Sequence, residues 1–240
     1  MTTFAEKTVR EIALEEPSSV RVFESLGIDY CCGGKRHLSD ACAEAQVDLA
    51  NAVELLESAK RNEQALRTEK WSEQPLSKLS AFIVGTHHEY VRRETPRIEG
   101  LFAKVLARHG QAHSEIARME HIFAAMSQEL ATHMLKEERV LFPYIETMEK
   151  AAESGTKAPA PFFGTVQRPI ATMIAEHEDA GALLTQLRFL SNDFAPPAGA
   201  CPTFIGLYRA LEDFERDLHR HVHLENNILF PRALALENAA

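Results

Sequence analysis

His133-Met-Leu-Lys-Glu137-Glu-Arg-Val-Leu141-Phe142-Pro143 recurs as His221-Val-His-Leu-Glu225-Asn-Asn-Ile-Leu229-Phe230-Pro231, with His, Glu, Leu, Phe and Pro at matched spacing. Repetition at a fixed interval marks a duplicated structural unit. Residues four apart on a helix share a face, so His133 and Glu137 project together, as do His221 and Glu225. Both pairs interrupt apolar stripes: Met126, Leu130, Met134 and Leu141 around the first, Leu211, Phe214, Leu218 and Leu229 around the second. Each copy is preceded, at nearly the same distance, by another helical segment that carries a histidine, His88 before the first and His177 before the second. A polar residue inside an apolar stripe is costly unless it has a partner. A lone His-x-x-x-Glu is ordinarily a surface ion pair. Two copies in matched Leu-Phe-Pro contexts, each with an inward histidine upstream, point instead to a duplicated metal half-site.

Working outward, the pattern is helical from Leu76 to the end. Four helices are expected over about 76–108, 114–150, 166–192 and 203–236, separated by Gly110, by the Gly- and Pro-containing stretch 155–164, and by Pro196-Pro197-Ala198-Gly199. Alternating segments and hairpin dipeptides are missing, which argues against strands. Long amphipathic helices with short connections make an antiparallel four-helix bundle, an all-α fold. The first seventy residues carry shorter signals. Thr8 and Glu11 have capping-box spacing, and that helix must close by Pro17. A second short helix fits Ser19 to Leu26 with Gly27 just past its end. A helical run is expected from about Ser39 to Lys60, followed by the polar segment 61–75. The expected division is a small helical domain with linker over 1–70 and the bundle over 71–240.

The chain has 240 residues, 26 Lys and Arg against 35 Asp and Glu, and a net charge of −9. That sign disfavours nucleic acid as a partner. No run of about 18 apolar residues offers a membrane span, and the N-terminus has no secretory signal pattern. Four cysteines make no disulfide framework, and a reducing cytoplasm is the expected location. Oligomeric state is left open, a homodimer included.

The proposed ligand set is His88, His133, His177 and His221 with Glu137 and Glu225. In helix one, Val84, Val91, Thr95, Ile98, Phe102 and Val105 share the His88 face, whereas His87 shares its face with Ser80, Ile83, Tyr90, Glu94, Arg97 and Leu101. His88 is therefore the expected inward residue and His87 a rim residue, with His87 as the alternative ligand. Six ligands including two carboxylates that can bridge suit two metals. Mixed imidazole and carboxylate donors point to iron, with manganese second, rather than to cysteine-rich structural zinc or oxygen-only magnesium and calcium. His219 and His223 stand about 200° around the helix from His221 and are expected in solvent. Glu129 is a candidate for an access path or for supporting His133, with a solvated surface role as the alternative; Glu176 and Glu178 have no stronger claim. Cys31 and Cys32, before Gly33-Gly34 and Lys35-Arg36, form an adjacent pair expected to be exposed and shifted toward thiolate: a redox pair, a transient iron or persulfide site, or two small buried residues beside a turn. Cys42 and Cys201 read as packing residues.

Asp29-Tyr-Cys-Cys-Gly-Gly-Lys35, His87-His-Glu-Tyr-Val-Arg92, His133 to Glu138 and His221 to Pro231 together resemble the repair-of-iron-centres family, and the likeness covers nearly the whole chain. These are bacterial di-iron proteins associated with repair of iron–sulfur clusters after nitrosative or oxidative damage. The resemblance implies a haemerythrin-like bundle with two non-haem, oxo- and carboxylate-bridged iron ions per chain on the six residues above. It implies damaged iron–sulfur proteins as partners and nitric oxide or oxygen as a small ligand. It also implies that Cys31 and Cys32 assist in handling iron or nitric oxide. The alternatives on the same centre are a nitric oxide reductase, or a nitric oxide or oxygen sensor without catalysis.

Overall fold

A computed structural model describes residues 4–16, 18–31, 33–66 and 70–239. Among them there is no strand, only one isolated bridge pairing Thr8 with His37. The N-terminal unit holds four helices: α1 (Val9–Glu15), α2 (Ser19–Leu26), α3 (Leu38–Glu44) and α4 (Leu49–Leu66). The predicted capping box opens α1, with Thr8 Oγ1 accepting from Glu11 N and the Glu11 carboxylate accepting from Thr8 N. Gly27 ends α2 at φ 65°, a conformation that suits a residue without Cβ. The single run expected over 39–60 is in fact two helices. Gln46 adopts φ 56°, and Asp48 Oδ2 accepts from Asn51 N at 2.9 Å to start α4. Asp48 was the available signal, a side chain that favours a helix cap over a helix interior.

The rest of the chain forms four long helices: α5 (76–109), α6 (115–153), α7 (Gln167–Leu190) and α8 (202–239). Helix α5 packs on α6 and α8, and α6 on α7. Short connections after α5 and α6 reverse the chain each time, giving an antiparallel bundle. Three of the four helices carry a wider π turn at the predicted ligand positions: Val84–His88 in α5, Glu137–Leu141 in α6 and Leu224–Leu229 in α8. Such turns concentrate at functional sites. In α6 and α8 the turn runs directly into Leu-Phe-Pro, where proline has no N–H for the carbonyl four residues back and would crowd it in a regular helix. In α8 that carbonyl belongs to Asn227, and Arg10 Nη2 of α1 donates to it at 3.2 Å.

Three apolar clusters make the core. One fills the N-terminal unit around Phe23, Leu38 and Leu56. One fills the bundle end formed by Leu79, Ile83, Ile145, Ile170 and Phe230. The largest fills the rest of the bundle around Phe102, Phe123, Leu187 and Phe214. The six predicted ligands lie in a polar layer between the two bundle clusters. The N-terminal unit docks on the outer face of α8. Arg220 donates twice to Glu24 at 2.6 Å, Tyr30 packs on His223 with ring centroids 5.4 Å apart, and Asn227 Nδ2 donates to the Tyr30 carbonyl at 3.2 Å.

Candidate metal centre

The antiparallel bundle brings one histidine from each helix to one level, because His88 and His177 precede the repeats by nearly equal lengths of chain. Two overlapping groups result: His88 with His221, and His133 with His177, each with both Glu137 and Glu225. All six residues are buried, Glu137 and Glu225 completely. Within each group the ligand atoms lie within 4.8 Å of one another. Glu225 approaches His221 Nε2 at 3.0 Å and His177 Nε2 at 3.1 Å, and Glu137 stands 3.4 Å from both His88 Nε2 and His133 Nε2. Each carboxylate thus faces one histidine of either pair, the disposition of a bridge.

The donor set fits metal ions on two observations. Both oxygens of Glu137 and Oε2 of Glu225 are buried without a hydrogen bond among the described residues, a costly state for a carboxylate. Furthermore, His133 Nδ1 is held by Glu176 Oε2 at 2.8 Å and His177 Nδ1 by Asn226 Oδ1 at 2.9 Å. Those acceptors put the ring hydrogen on Nδ1 and leave the Nε2 lone pairs 3.0 Å apart and facing each other. Such an arrangement suits positive charge between them, a metal or a proton. Accordingly, burial opposes charge on His133, but Glu137, Glu225 and the Glu176 hydrogen bond outweigh it and raise its pKa to about 9. Burial likewise works against the Glu225 carboxylate, yet His221 and His177 hold it well below the usual carboxylate range.

His88 Nδ1 is held in the same manner by Glu138 Oε1 at 2.6 Å, and Arg92 Nη2 holds Glu138 at 2.5 Å. Lys136 pairs with Glu176. These supporting groups fix ring orientation and tune the basicity of the ligating nitrogen. Sequence reasoning missed Glu138 and Asn226 and gave Glu176 no special weight. Glu138 had one available signal, its place one residue after a repeat glutamate; Asn226 occupies the equivalent place in the second copy.

Three expectations are corrected. His87 is not a rim residue: it is buried, its Nδ1 lies 3.0 Å from Asp217 Oδ1, and its ring stacks on His221 with centroids 5.5 Å apart. The π turn at Val84–His88 breaks the regular periodicity on which the face assignment relied. His223 is buried rather than solvated, because Tyr30 and the N-terminal unit cover that side of α8; burial lowers its pKa to about 4. His219 is half-buried against the same Tyr30. Cys31 is 6% exposed and packs with the main bundle cluster. Its thiol donates to Asp29 Oδ1 at 3.2 Å, while the neighbouring cation Arg36 pairs with Glu44. The loop that places it is built by Asp29, which accepts from Cys31 N at 2.9 Å and Gly33 N at 2.8 Å. A Cβ on Gly34 would stand 2.8 Å from the Tyr30 carbonyl, so the second glycine is demanded by close packing. Cys32 lies outside the described residues. Cys42 is buried as expected, and Cys201 sits half-buried with Sγ 3.2 Å from His109 Nε2.

Two cavities reach the centre from outside. One of about 500 Å³ is lined by Gln128, Glu129, Lys136, Glu176, His133 and His177. The other, of about 320 Å³, has a more apolar wall of Leu184, Leu218 and Val222, and places Cys31 and His177 on one surface. No helix among the described residues is long and apolar enough to cross a membrane.

A four-helix bundle with paired histidines and shared carboxylates in a polar layer defines the haemerythrin class. The Hemerythrin HHE cation binding domain family matches residues 81–233, and a domain of unknown function, ScdA_N, matches residues 5–60. The chain is 37% identical over 234 residues to the iron-sulfur cluster repair protein YtfE of Edwardsiella ictaluri (strain 93-146), covering 97% of this chain and 98% of the relative. Proteins of the same name from Pectobacterium atrosepticum and Yersinia pestis are 36% and 34% identical, each covering 96% of this chain and 98% of the relative. The chain belongs to this family of haemerythrin-type iron–sulfur cluster repair proteins.

Proposed function

We propose that this protein repairs iron–sulfur clusters damaged by nitrosative or oxidative stress in the cytoplasm. In this reading His88, His133, His177, His221, Glu137 and Glu225 hold two non-haem iron ions, with Glu137 and Glu225 bridging. The observation that carries it is the 3.0 Å approach of His133 Nε2 to His177 Nε2 beside two buried carboxylates with unmet oxygens. When bound, two such metals supply reversible redox chemistry and a position for a diatomic ligand. The chain's own residues do the rest. Glu138, Glu176 and Asn226 orient the imidazoles, and the apolar clusters on either side exclude bulk water. The cavity bearing Glu129 and Glu176 is a polar route that opens on the His133 and His177 side of the centre. The cavity bearing Cys31 is suited to nitric oxide, a small and weakly polar molecule. The full names of the relatives, coupled with these two routes, support cluster repair with damaged iron–sulfur proteins as clients. All six ligands come from one chain, so a homodimer is compatible with the reading and not required by it.

The test is reactivation of a hydratase whose [4Fe–4S] cluster has been damaged by nitric oxide, using the full chain loaded with iron. Recovery of hydratase activity that drops in a Cys31→Ala/Cys32→Ala variant supports a two-part mechanism. Normal repair by that variant removes the thiols from it. Absence of any repair, together with nitric oxide consumption under a reductant, overturns the reading in favour of a reductase.

A further inference from the structure

The four histidines are not equally supported. His88, His133 and His177 each have Nδ1 within 2.9 Å of a side-chain acceptor, on Glu138, Glu176 and Asn226. His221 Nδ1 is buried and has no hydrogen-bond partner among the described residues. The ring is instead stacked on one side by His87, with planes 6° apart. His87 has no hydrogen-bonding role toward it, since its own Nδ1 is turned to Asp217. An imidazole that ligates through Nε2 carries its hydrogen on Nδ1, and at His221 that hydrogen is buried with no acceptor among the described residues. Freed from a metal, the same ring can carry the hydrogen on Nε2 and donate to Glu225 Oε1, which stands 3.0 Å away. At His133 and His88 a carboxylate holds the hydrogen on Nδ1 throughout, and His177, whose Nε2 also stands 3.1 Å from Glu225 Oε2, keeps the Asn226 amide as a partner at Nδ1, so only His221 lacks a side-chain partner there among the described residues.

We infer that the two metal positions are unequal, and that the position built on His88 and His221 is the one that surrenders its metal, with His221 as the ligand that lets go. The position built on His133 and His177, anchored at both rings, is the retained one. This rests on the two-metal reading proposed above and deepens it: one ion is cargo for delivery and the other stays resident. Loss of a single supporting partner commonly weakens metal affinity 10- to 100-fold, so the two ions separate by about 10-fold or more in release rate.

The experiment loads the full chain anaerobically with two equivalents of ferrous iron and follows its transfer to an excess of a coloured ferrous chelator by stopped flow. Two phases of one equivalent each are expected. Asn226→Ala, at a half-buried position outside both cores, removes the His177 anchor and brings the slow phase toward the fast one while leaving the fast phase in place. Glu138→Ala leaves both rings of the labile position unanchored and accelerates the fast phase alone. Helical circular dichroism and thermal melting establish that each variant is folded. Release of both equivalents in a single phase, or an Asn226→Ala effect confined to the fast phase, overturns the inference while the two-metal reading stands. A chain that binds only one iron overturns both.

Discussion

His133 Nε2 and His177 Nε2 lie 3.0 Å apart, each on a ring whose other nitrogen is already committed, to Glu176 and to Asn226. With the hydrogens on Nδ1, two lone pairs at that distance call for a cation between them. The site is therefore charged in one of two ways, by metal or by proton, and the two compete.

That competition has a pH signature. With the His133 pKa raised to about 9, metal binding near neutrality displaces a proton, and ligation requires the neutral ring. Apparent metal affinity is expected to climb between pH 7 and pH 9 and to level off above it. Competition titrations against a chelator across that range check this, and a flat profile contradicts it.

Removal of the metal should destabilise the fold, because ligand binding to the native state alone raises its stability by mass action. The stripped protein is expected to melt below the loaded one and to recover on addition of iron. A Glu137→Ala/Glu225→Ala variant is expected to lose both bound iron and this response. Metal analysis alongside calorimetry gives the answer. Zinc alone, or no metal in protein made in iron-replete cells, would count against the iron centre.

Glu176 holds His133 on one oxygen and Lys136 on the other. Glu176→Ala should lower metal affinity by about 10- to 100-fold, with helical content unchanged. An affinity within twofold of the unsubstituted protein would make Glu176 a surface group.

His223 is buried against Tyr30 and accepts at Nδ1 from Asn227 Nδ2 at 3.0 Å. Its folded pKa of about 4 lies below the unfolded value near 6.5. Above pH 6.5 both states are neutral there and stability does not depend on this ring. As pH falls from 6.5 to 4 the unfolded chain takes up a proton that the folded chain refuses, so stability drops, by up to ~3 kcal/mol. Urea unfolding at pH 7, 5.5 and 4.5 should show the decline, and His223→Gln should flatten it.

The N-terminal unit is held to the bundle by the two hydrogen bonds from Arg220 to Glu24, and Tyr30 Oη also donates to Glu24 at 2.9 Å. Glu24→Ala leaves the guanidinium and the phenol without their carboxylate, at a cost of about 2 kcal/mol. The expected result is a lower unfolding midpoint and faster proteolysis of the N-terminal unit than of the bundle.

The convergence of the six side chains was open to reading because helical geometry makes spacing equivalent to direction. His133 with Glu137 and His221 with Glu225 are local pairs, and their duplication inside Leu-Phe-Pro contexts needs no tertiary information to detect. The groups that support the ligands were mostly closed to reading. Asn226 reaches His177 from another helix, and Glu176 reaches His133 across the α6–α7 interface. Contacts of that kind have no fixed sequence separation. His87 departs from its expected place for a local reason instead: a π turn inserts extra backbone into the helical period, and nothing in Val84-Gly85-Thr86 announces it as Pro143 and Pro231 do for the other two.

Periodicity, caps and the internal repeat therefore suffice for an all-helical chain, an antiparallel bundle and six convergent side chains, since helical faces follow from residues within a turn or two of one another and the repeat sets their level. What those ligands experience is a matter of packing. Docking of the N-terminal unit buries His223 and carries Cys31 to a cavity that also touches His177. Among the described residues, neighbouring side chains supply an acceptor to Nδ1 of three imidazoles and none to Nδ1 of His221. Burial and hydrogen-bond supply come from whichever surfaces meet in three dimensions, and those surfaces are joined by the fold rather than by their order in the chain.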